Sequence, residues 1–220
     1  MERTESGFRW HRTMYAELEI IKSEYSKYDR AIQKRLQEFA SVPRKDYFYE
    51  LVYCLLTPQS SAVNAAKTVE RLRQEEFHRK DFSPASILRN KSHYIRFHNT
   101  KAKHLTEAKT RFSDIEAVLA NGYTNEEQRS WLIDNVKGFG WKEASHFLRN
   151  IGRRDMAILD RHILKNLKLH RVIKSIPETL TPKRYRDIEL RFRRFGNSIG
   201  ISMDELDLLF WARETGHILK

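Results

Sequence analysis

The apolar residues of this 220-residue chain recur three or four positions apart, and this helical spacing constrains the fold more than any other feature. From Thr13 to Ala40 they form one stripe on a 3.6-residue period, made of Leu18, Ile21, Tyr25, Tyr28, Ile32, Leu36 and Phe39. No segment shows the two-residue alternation or the turn of a β-hairpin. The sequence therefore predicts an all-α fold of about ten short helices.

Local signals predict where several of these helices begin and end. A buried helix over 47–56 is expected to stop at Thr57-Pro58. Helix starts are marked by cap residues, by proline at a first helical position and by capping boxes, at Ser60 or Ser61, Ser83-Pro84, Thr124, Thr181-Pro182 and Ser202. We expect the basic helix that starts at Pro182 to reach about Phe195. Gly216 can close the last helix.

Charge and composition narrow the functional classes. The chain has 41 Lys and Arg against 29 Asp and Glu, a net charge of +12, and this excess favours an anionic partner. Charge alone leaves nucleic acid at even odds. The one cysteine, Cys54, excludes an intramolecular disulfide, cysteine-rich zinc sites and a four-cysteine iron–sulfur cluster within the chain. We expect no metal and no cofactor, because the histidines lack the short spacing of a zinc helix.

We expect no association with a membrane. The longest apolar run, Leu51–Leu56, is far shorter than the roughly 20 residues that span a bilayer. The amino terminus is polar and mixed in charge, unlike a signal peptide. An intracellular, cytoplasmic location associated with the nucleoid is therefore expected.

The segment around Gly138 and Gly140 is the strongest candidate for a functional element. Two glycines flank Phe139 between a helix that ends near Asn135 and another that begins near Trp141. Glycines let another chain approach the backbone, Phe139 can anchor the turn, and the amides at the following helix start suit a phosphate oxygen. A helix–hairpin–helix DNA-binding element needs these features. An ordinary corner between two helices remains the alternative.

Lys142 and Asp160 carry the candidate chemistry. Lys142 lies in the first turn of a helix, where the positive end of the dipole disfavours a cation and favours the nucleophilic neutral amine. Asp160 precedes a helix, can accept its backbone N–H groups, and can stabilise positive charge on a sugar ring. The alternatives are a surface lysine and a simple cap. His162 can donate to a phosphate or lie on the helix surface.

These residues resemble the helix–hairpin–helix superfamily of DNA base-excision glycosylases. The resemblance rests on Gly138-Phe-Gly140-Trp-Lys142 and Leu159-Asp160-Arg-His162, which match the superfamily's hairpin, catalytic lysine and essential aspartate. Leu55-Leu-Thr-Pro58-Gln59-Ser60-Ser61 looks like the segment whose glutamine wedges into the base stack. Phe97-His-Asn99-Thr-Lys101-Ala-Lys103 looks like the Asn-x-Lys-Ala segment. Together the motifs cover about residues 45–170.

Further residues narrow the resemblance to the compact 8-oxoguanine DNA glycosylase/AP lyase family of archaea and some bacteria. A lysine at position 142 marks enzymes that remove a base and then cleave the strand, and the missing cysteine cluster disfavours the endonuclease III and adenine-glycosylase branches. The carboxy-terminal stretch from Asp207 to Lys220 also fits. In that family a terminal lysine carboxylate helps to recognise the damaged base, and a tryptophan of the last helix, here Trp211, supplies a stacking face.

The resemblance implies two helical lobes with the active site in the cleft between them. We expect residues 1–45 and about 153–220 to form a terminal lobe. Residues 46–152 would form a central lobe that ends in the helix–hairpin–helix at about 132–150. The expected partner is double-stranded DNA containing 8-oxoguanine, bound by a monomer.

The expected roles follow from the same resemblance. Lys142 attacks C1′ with help from Asp160, and β-elimination then cleaves the strand 3′ to the lesion. DNA is contacted by Pro58, Gln59, Ser60, Gly138, Phe139, Gly140 and His162. The base is recognised by Trp211, Asp207, Lys220 and His146. The alternative for Trp211 is a purely structural role in the core, and for Asp207 and His146 a structural role is as well supported as the functional one. Activity on oxidised pyrimidines, or DNA binding without catalysis, remain alternative functions.

Overall fold

A computed structural model describes the backbone of residues 4–218 and the side chains of residues 18–218. This part of the chain contains eleven α-helices, two short 3-10 helices (Arg44–Asp46 and Lys91–His93) and no strand, which confirms the all-α prediction. The α-helices are α1 (Thr4–Ala40), α2 (Tyr47–Leu56), α3 (Ala62–Gln74), α4 (Ala85–Leu88), α5 (His98–Thr110), α6 (Phe112–Ala120), α7 (Asn125–Asn135), α8 (Trp141–Asn150), α9 (Arg161–Leu169), α10 (Pro182–Ile199) and α11 (Met203–Thr215).

The chain divides into two compact units. The terminal unit combines Met1–Glu38 with Asp155–Lys220, and the central unit is Phe39–Arg154. The central unit is continuous in sequence, whereas the terminal unit joins two distant segments.

The central unit is built around α2. This helix packs against α3, α5 and α8, and Leu51, Val52 and Leu56 have no exposed surface. Burial on all sides explains why its sequence is a continuous apolar run rather than a stripe. The helix ends where predicted, and the N–H of Thr57 closes it by donating to the Tyr53 carbonyl at 3.1 Å.

The terminal unit contains α9, α10, α11 and most of α1. Polar contacts tie α1 to α11. Among them, the Tyr25 hydroxyl donates to Glu205 Oε1 at 2.7 Å, and Arg213 Nε donates to Glu24 Oε2 at 3.0 Å. Phe210 of α11 has no exposed surface and stacks against an aromatic ring of α10. The apolar stripes of these helices therefore meet in one core.

Most of the predicted helix starts are confirmed. Ser61 caps α3, Thr181 caps α10, and capping boxes stand at Thr124 and Ser202. Gly216 closes α11 in the left-handed conformation, as predicted.

Three helix boundaries differ from the predictions. Helix α1 begins at Thr4 rather than Thr13. Helix α10 continues past Phe195 to Ile199, because its last apolar residues are buried in the core. Pro84 precedes α4 instead of opening it. Within the described residues, no helix combines the length and the apolar character that crossing a bilayer requires.

Candidate active site

The hairpin is a five-residue turn between α7 and α8. Gly138 is in the left-handed region at φ 91°, and a Cβ there would lie 2.6 Å from His104 Nδ1 and 3.1 Å from Leu55 Cδ2. Glycine is thus required both by the backbone and by the close neighbours. Phe139 is 8 % exposed, and its ring lies 6.1 Å from that of Phe147. Its side chain anchors the turn, as the sequence predicts.

A buried arginine fixes the two hairpin helices to each other. Arg129 of α7 has no exposed surface. It donates to Ser145 Oγ at 3.2 Å, its guanidinium lies 4.7 Å from the centre of the Trp141 ring, and it pairs with Glu126. These contacts hold the first turn of α8, and therefore Lys142, in a fixed position.

Glu143 is a site residue that the sequence analysis missed. Its Oε2 accepts the Gly140 N–H at 3.2 Å, and its Oε1 lies 3.0 Å from Lys142 Nζ. The Glu143 side chain is 15 % exposed and that of Lys142 is 32 % exposed. The Glu143 carboxylate therefore connects the Gly140 amide to the lysine amine. A phosphate at the Gly140 amide would have to replace this carboxylate. A glutamate three residues beyond a cap position was the available signal.

His146 lies one helical turn beyond Lys142 on α8 and is half-buried. Its ring makes an edge contact with Tyr53 of α2 at 5.8 Å. This contact packs the ring against α2, and its role in base recognition stays a prediction.

The segment Pro58-Gln59-Ser60 lies in the loop between α2 and α3. The Gln59 side chain is exposed, and its backbone is in the left-handed region at φ 55°. A residue with a Cβ rarely adopts this conformation unless its surroundings impose it. The loop therefore presents Gln59 outward in a defined conformation, as a wedge into the base stack would require.

Phe97, beside this loop, is a second candidate contact that the sequence analysis did not assign. It is 50 % exposed, its backbone is left-handed at φ 59°, and the Arg96 guanidinium lies 4.9 Å from its ring centre. The Arg96 N–H donates to Ser60 Oγ at 3.1 Å, which joins the two segments. No sequence pattern marks a bulky residue with left-handed backbone.

In the terminal unit, Asp160 caps α9 as predicted. Its Oδ1 accepts the N–H groups of His162 and Ile163, both at 2.8 Å. Oδ2 has no hydrogen-bond partner within the described residues. One carboxylate oxygen therefore fixes the side chain, while the other remains available to a substrate.

Helix α10 positions the extended segment that leads to Asp160. The Tyr185 hydroxyl donates to the Ala157 carbonyl at 2.6 Å and accepts the Leu159 N–H at 3.2 Å. Glu189 Oε2 accepts the Ala157 N–H at 2.7 Å. This structural role of the basic helix was not foreseen, because the sequence analysis weighed only its charges.

The predicted base-recognition residues of α11 differ in exposure. Trp211 is half-buried, with its ring 5.2 Å from that of His162, whereas Asp207 is 5 % exposed. His162 Nδ1 also lies 3.7 Å from Glu214 Oε2. The predicted role of Lys220 falls outside the described residues.

The structure thus groups the predicted residues within each unit. The central unit holds Lys142, the hairpin glycines and the Gln59 loop around α5 and α8. The terminal unit brings His162 against Trp211 and places Asp160 at the start of the same helix. No group of three or more potential metal ligands occurs among the residues described.

Comparison with known proteins gives a consistent result. The model of a family described as 8-oxoguanine DNA glycosylase matches residues 32–201. A protein of Fusobacterium nucleatum named 8-oxoguanine DNA glycosylase/AP lyase is 38% identical over 216 residues, covering 94% of this chain and 97% of its own.

Two crystal structures from Methanocaldococcus jannaschii share the fold. Its 8-oxoguanine DNA glycosylase is 33% identical with a TM-score of 0.82, covering 93% of this chain and 98% of the other. Its 8-oxoguanine glycosylase/lyase in complex with a 15mer DNA containing 8-oxoguanine is 32% identical with a TM-score of 0.81, covering 91% and 99%. The match extends over most of both chains in each case, and this chain belongs to the 8-oxoguanine DNA glycosylase family.

Proposed function

We propose that this protein removes 8-oxoguanine from double-stranded DNA and then cleaves the strand at the resulting abasic site. The observation that carries the proposal is Lys142, held at the start of α8, partly exposed, with a carboxylate oxygen of Glu143 at 3.0 Å. A protein that only bound DNA would need neither this amine nor the open carboxylate oxygen of Asp160.

The target nucleotide must leave the helix before the reaction, because C1′ is inaccessible inside a base-paired stack. Gln59 fills the gap and contacts the unpaired base, with Pro58 and Ser60 contacting the DNA beside it. The exposed backbone at Gly138 holds a phosphate, whose oxygen replaces Glu143 Oε2 at the amide of Gly140. Phe139 keeps the turn in place. His162 donates to a second phosphate.

Lys142 is the nucleophile. Glu143 accepts a proton from its ammonium, and the nitrogen lone pair then forms a bond to C1′ while the glycosidic bond breaks and 8-oxoguanine departs with that electron pair. Asp160 stabilises the positive charge that develops on the sugar. The covalent product rearranges to a Schiff base, which acidifies the proton on C2′. Loss of that proton expels the 3′ phosphate and cleaves the strand.

Recognition of the flipped base is assigned to α11 and its neighbours. Trp211 offers a half-buried ring for stacking. Asp207, His146 and Lys220 are the proposed polar contacts. The protein acts on nucleoid DNA inside the cell, since a DNA lesion is its substrate and its net positive charge favours binding to DNA. We propose that it acts as a monomer.

The test is borohydride trapping of the Schiff base on a labelled duplex with a single 8-oxoguanine. Wild type is compared with Lys142→Gln and with Lys103→Gln, which removes an exposed lysine from the same unit. We expect a covalent adduct with wild type and with Lys103→Gln, and none with Lys142→Gln.

Parallel duplexes carry guanine, thymine glycol or an abasic site. An adduct only on thymine glycol or the abasic site would keep Lys142 as the nucleophile and overturn 8-oxoguanine as the substrate. DNA binding without an adduct on any duplex would overturn the lyase assignment and favour a binding protein.

A further inference from the structure

Lys101 of α5 is buried, with 6 % of its surface exposed, and the reaction described above does not use it. Lysine is rarely buried unless its ammonium is fully paired. Its Nζ donates to the Leu56 carbonyl at 2.6 Å, to the Pro58 carbonyl at 2.7 Å and to Ser60 Oγ at 3.2 Å. An ammonium has three N–H groups, so each donor meets one acceptor.

All three acceptors belong to the end of α2 and the loop that carries Gln59. The carbonyl of Pro58 directly precedes Gln59, and the hydroxyl of Ser60 directly follows it. Gln59 is in the left-handed region at φ 55°, which costs a residue with a Cβ free energy and persists only when the surroundings hold it. Lys101 therefore donates to the backbone carbonyl before Gln59 and to the side-chain hydroxyl after it.

The same face of α5 also contacts the hairpin. Residues three apart on a helix lie on one face, and His104 and Glu107 follow Lys101 at this spacing. His104 Nδ1 occupies the space where a Cβ of Gly138 would lie, 2.6 Å away, and Glu107 Oε2 lies 3.0 Å from Lys137 Nζ. One helix face thus sets the positions of both the Gln59 loop and the hairpin.

We propose that Lys101 is a positioning residue, whose ammonium holds the loop 57–60 in the conformation that inserts Gln59 into duplex DNA. This inference rests on the proposed function, because it assigns a role within that reaction. Lys101 does not touch the reacting atoms. It acts through Gln59, so its effect should appear only where a base stack has to be filled.

Protonation supports this role. Burial, and after it the charge of Lys142, lowers the pKa of Lys101 to about 8, while Glu143 acts in the opposite direction. The neutral amine has only two N–H groups, so one of the three acceptors loses its donor once the proton leaves. The hydrogen bonding of Lys101 to the loop should therefore weaken as the pH rises through about 8.

The experiment is a double-mutant cycle between Lys101→Met and Gln59→Ala. Single-turnover excision is measured on a duplex with 8-oxoguanine, and borohydride trapping on a single-stranded abasic oligonucleotide, which has no stack to fill. We expect Lys101→Met to slow duplex excision by about tenfold or more and to change single-stranded trapping by less than about twofold. Added to Gln59→Ala, it should cause little further loss.

Two variants serve as comparisons. Lys101→Arg keeps a charged donor and should restore most of the duplex rate. Lys103→Met removes an exposed lysine two residues away on the same helix and should leave both rates unchanged. Circular dichroism establishes that each variant is folded.

Independent losses that multiply in the double variant, or an equal loss on single-stranded DNA, would overturn the proposal. Should Lys101→Met fail to fold, the test is made on wild type instead. The duplex excision rate is divided by the single-stranded trapping rate, and this ratio is measured between about pH 7 and 9.5. The ratio should fall across about pH 8, and a constant ratio would refute the role. A wild type without activity on 8-oxoguanine would overturn the proposed function instead, and the cycle would then be run on a duplex abasic site.

Discussion

Replacing Tyr185 by phenylalanine removes a single hydroxyl from beneath the segment that leads to Asp160. The tyrosine is 2 % exposed. Its hydroxyl donates to the Ala157 carbonyl and accepts the Leu159 N–H, and these two backbone groups are also buried. Phenylalanine keeps the ring, so the substitution tests what the hydroxyl contributes.

The cost follows from the two groups left without a partner. A buried polar group that loses its hydrogen bond costs roughly 1–3 kcal/mol, and two such groups give a loss of about 3 kcal/mol if part of the penalty is relieved by relaxation. For a chain of this size, that corresponds to a melting temperature lower by about 6–12 °C. Asp160 should also become less precisely placed, and excision of 8-oxoguanine should slow.

The assay is urea unfolding together with single-turnover excision. Tyr123→Phe is the matched control, since Tyr123 is 49 % exposed and its hydroxyl has no hydrogen-bond partner within the described residues. We expect the control to change the free energy of unfolding by less than about 0.5 kcal/mol. If Tyr185→Phe behaved like the control, the hydroxyl would not hold the segment, and Asp160 would not depend on it for its position.

Two further predictions concern the central unit. Gly152→Ala should destabilise the protein by more than about 2 kcal/mol in urea unfolding, because Gly152 has φ +86° and a Cβ would lie 2.8 Å from the Ala40 Cα; a neutral result would mean that the backbone moves freely there. The second prediction follows from the pKa of Lys101, about 8 in the folded protein against 10.5 for the unperturbed group. Between these values the unfolded chain binds more protons, so this group makes stability rise with pH, by at most about 1.4 kcal/mol per pH unit. The slope should be smaller in Lys101→Met, and equal slopes would contradict the assigned burial of the charge.

The elements that the sequence predicted well are governed by neighbouring residues. Capping boxes at Thr124 and Ser202 fix helix starts through contacts three residues apart. The turn over Gly138 and Gly140 and the cap at Asp160 have the same local character. Helix ends were predicted less well where burial decides them, as at Ile199 of α10.

Two residues to which the sequence analysis gave no role, Tyr185 and Lys101, act over long distances along the chain. Tyr185 contacts a segment 26 to 28 residues away, and Lys101 contacts a loop more than 40 residues away. The resemblance to the Asn-x-Lys-Ala segment marks Lys101 but gives it no role, and no local pattern marks Tyr185. Only the packing of α5 makes Lys101 buried and leaves Lys103 exposed.

Local sequence signals specify the helical fold and point to the candidate site groups, because periodicity, caps and the spacing of Lys142 from Gly140 depend on residues close in the chain. Tertiary structure decided how those groups are held. The hydrogen bonds of Lys101 to the Gln59 loop, and of Tyr185 to the segment before Asp160, form only when distant helices pack, since burial gives these polar groups partners that no local pattern specifies.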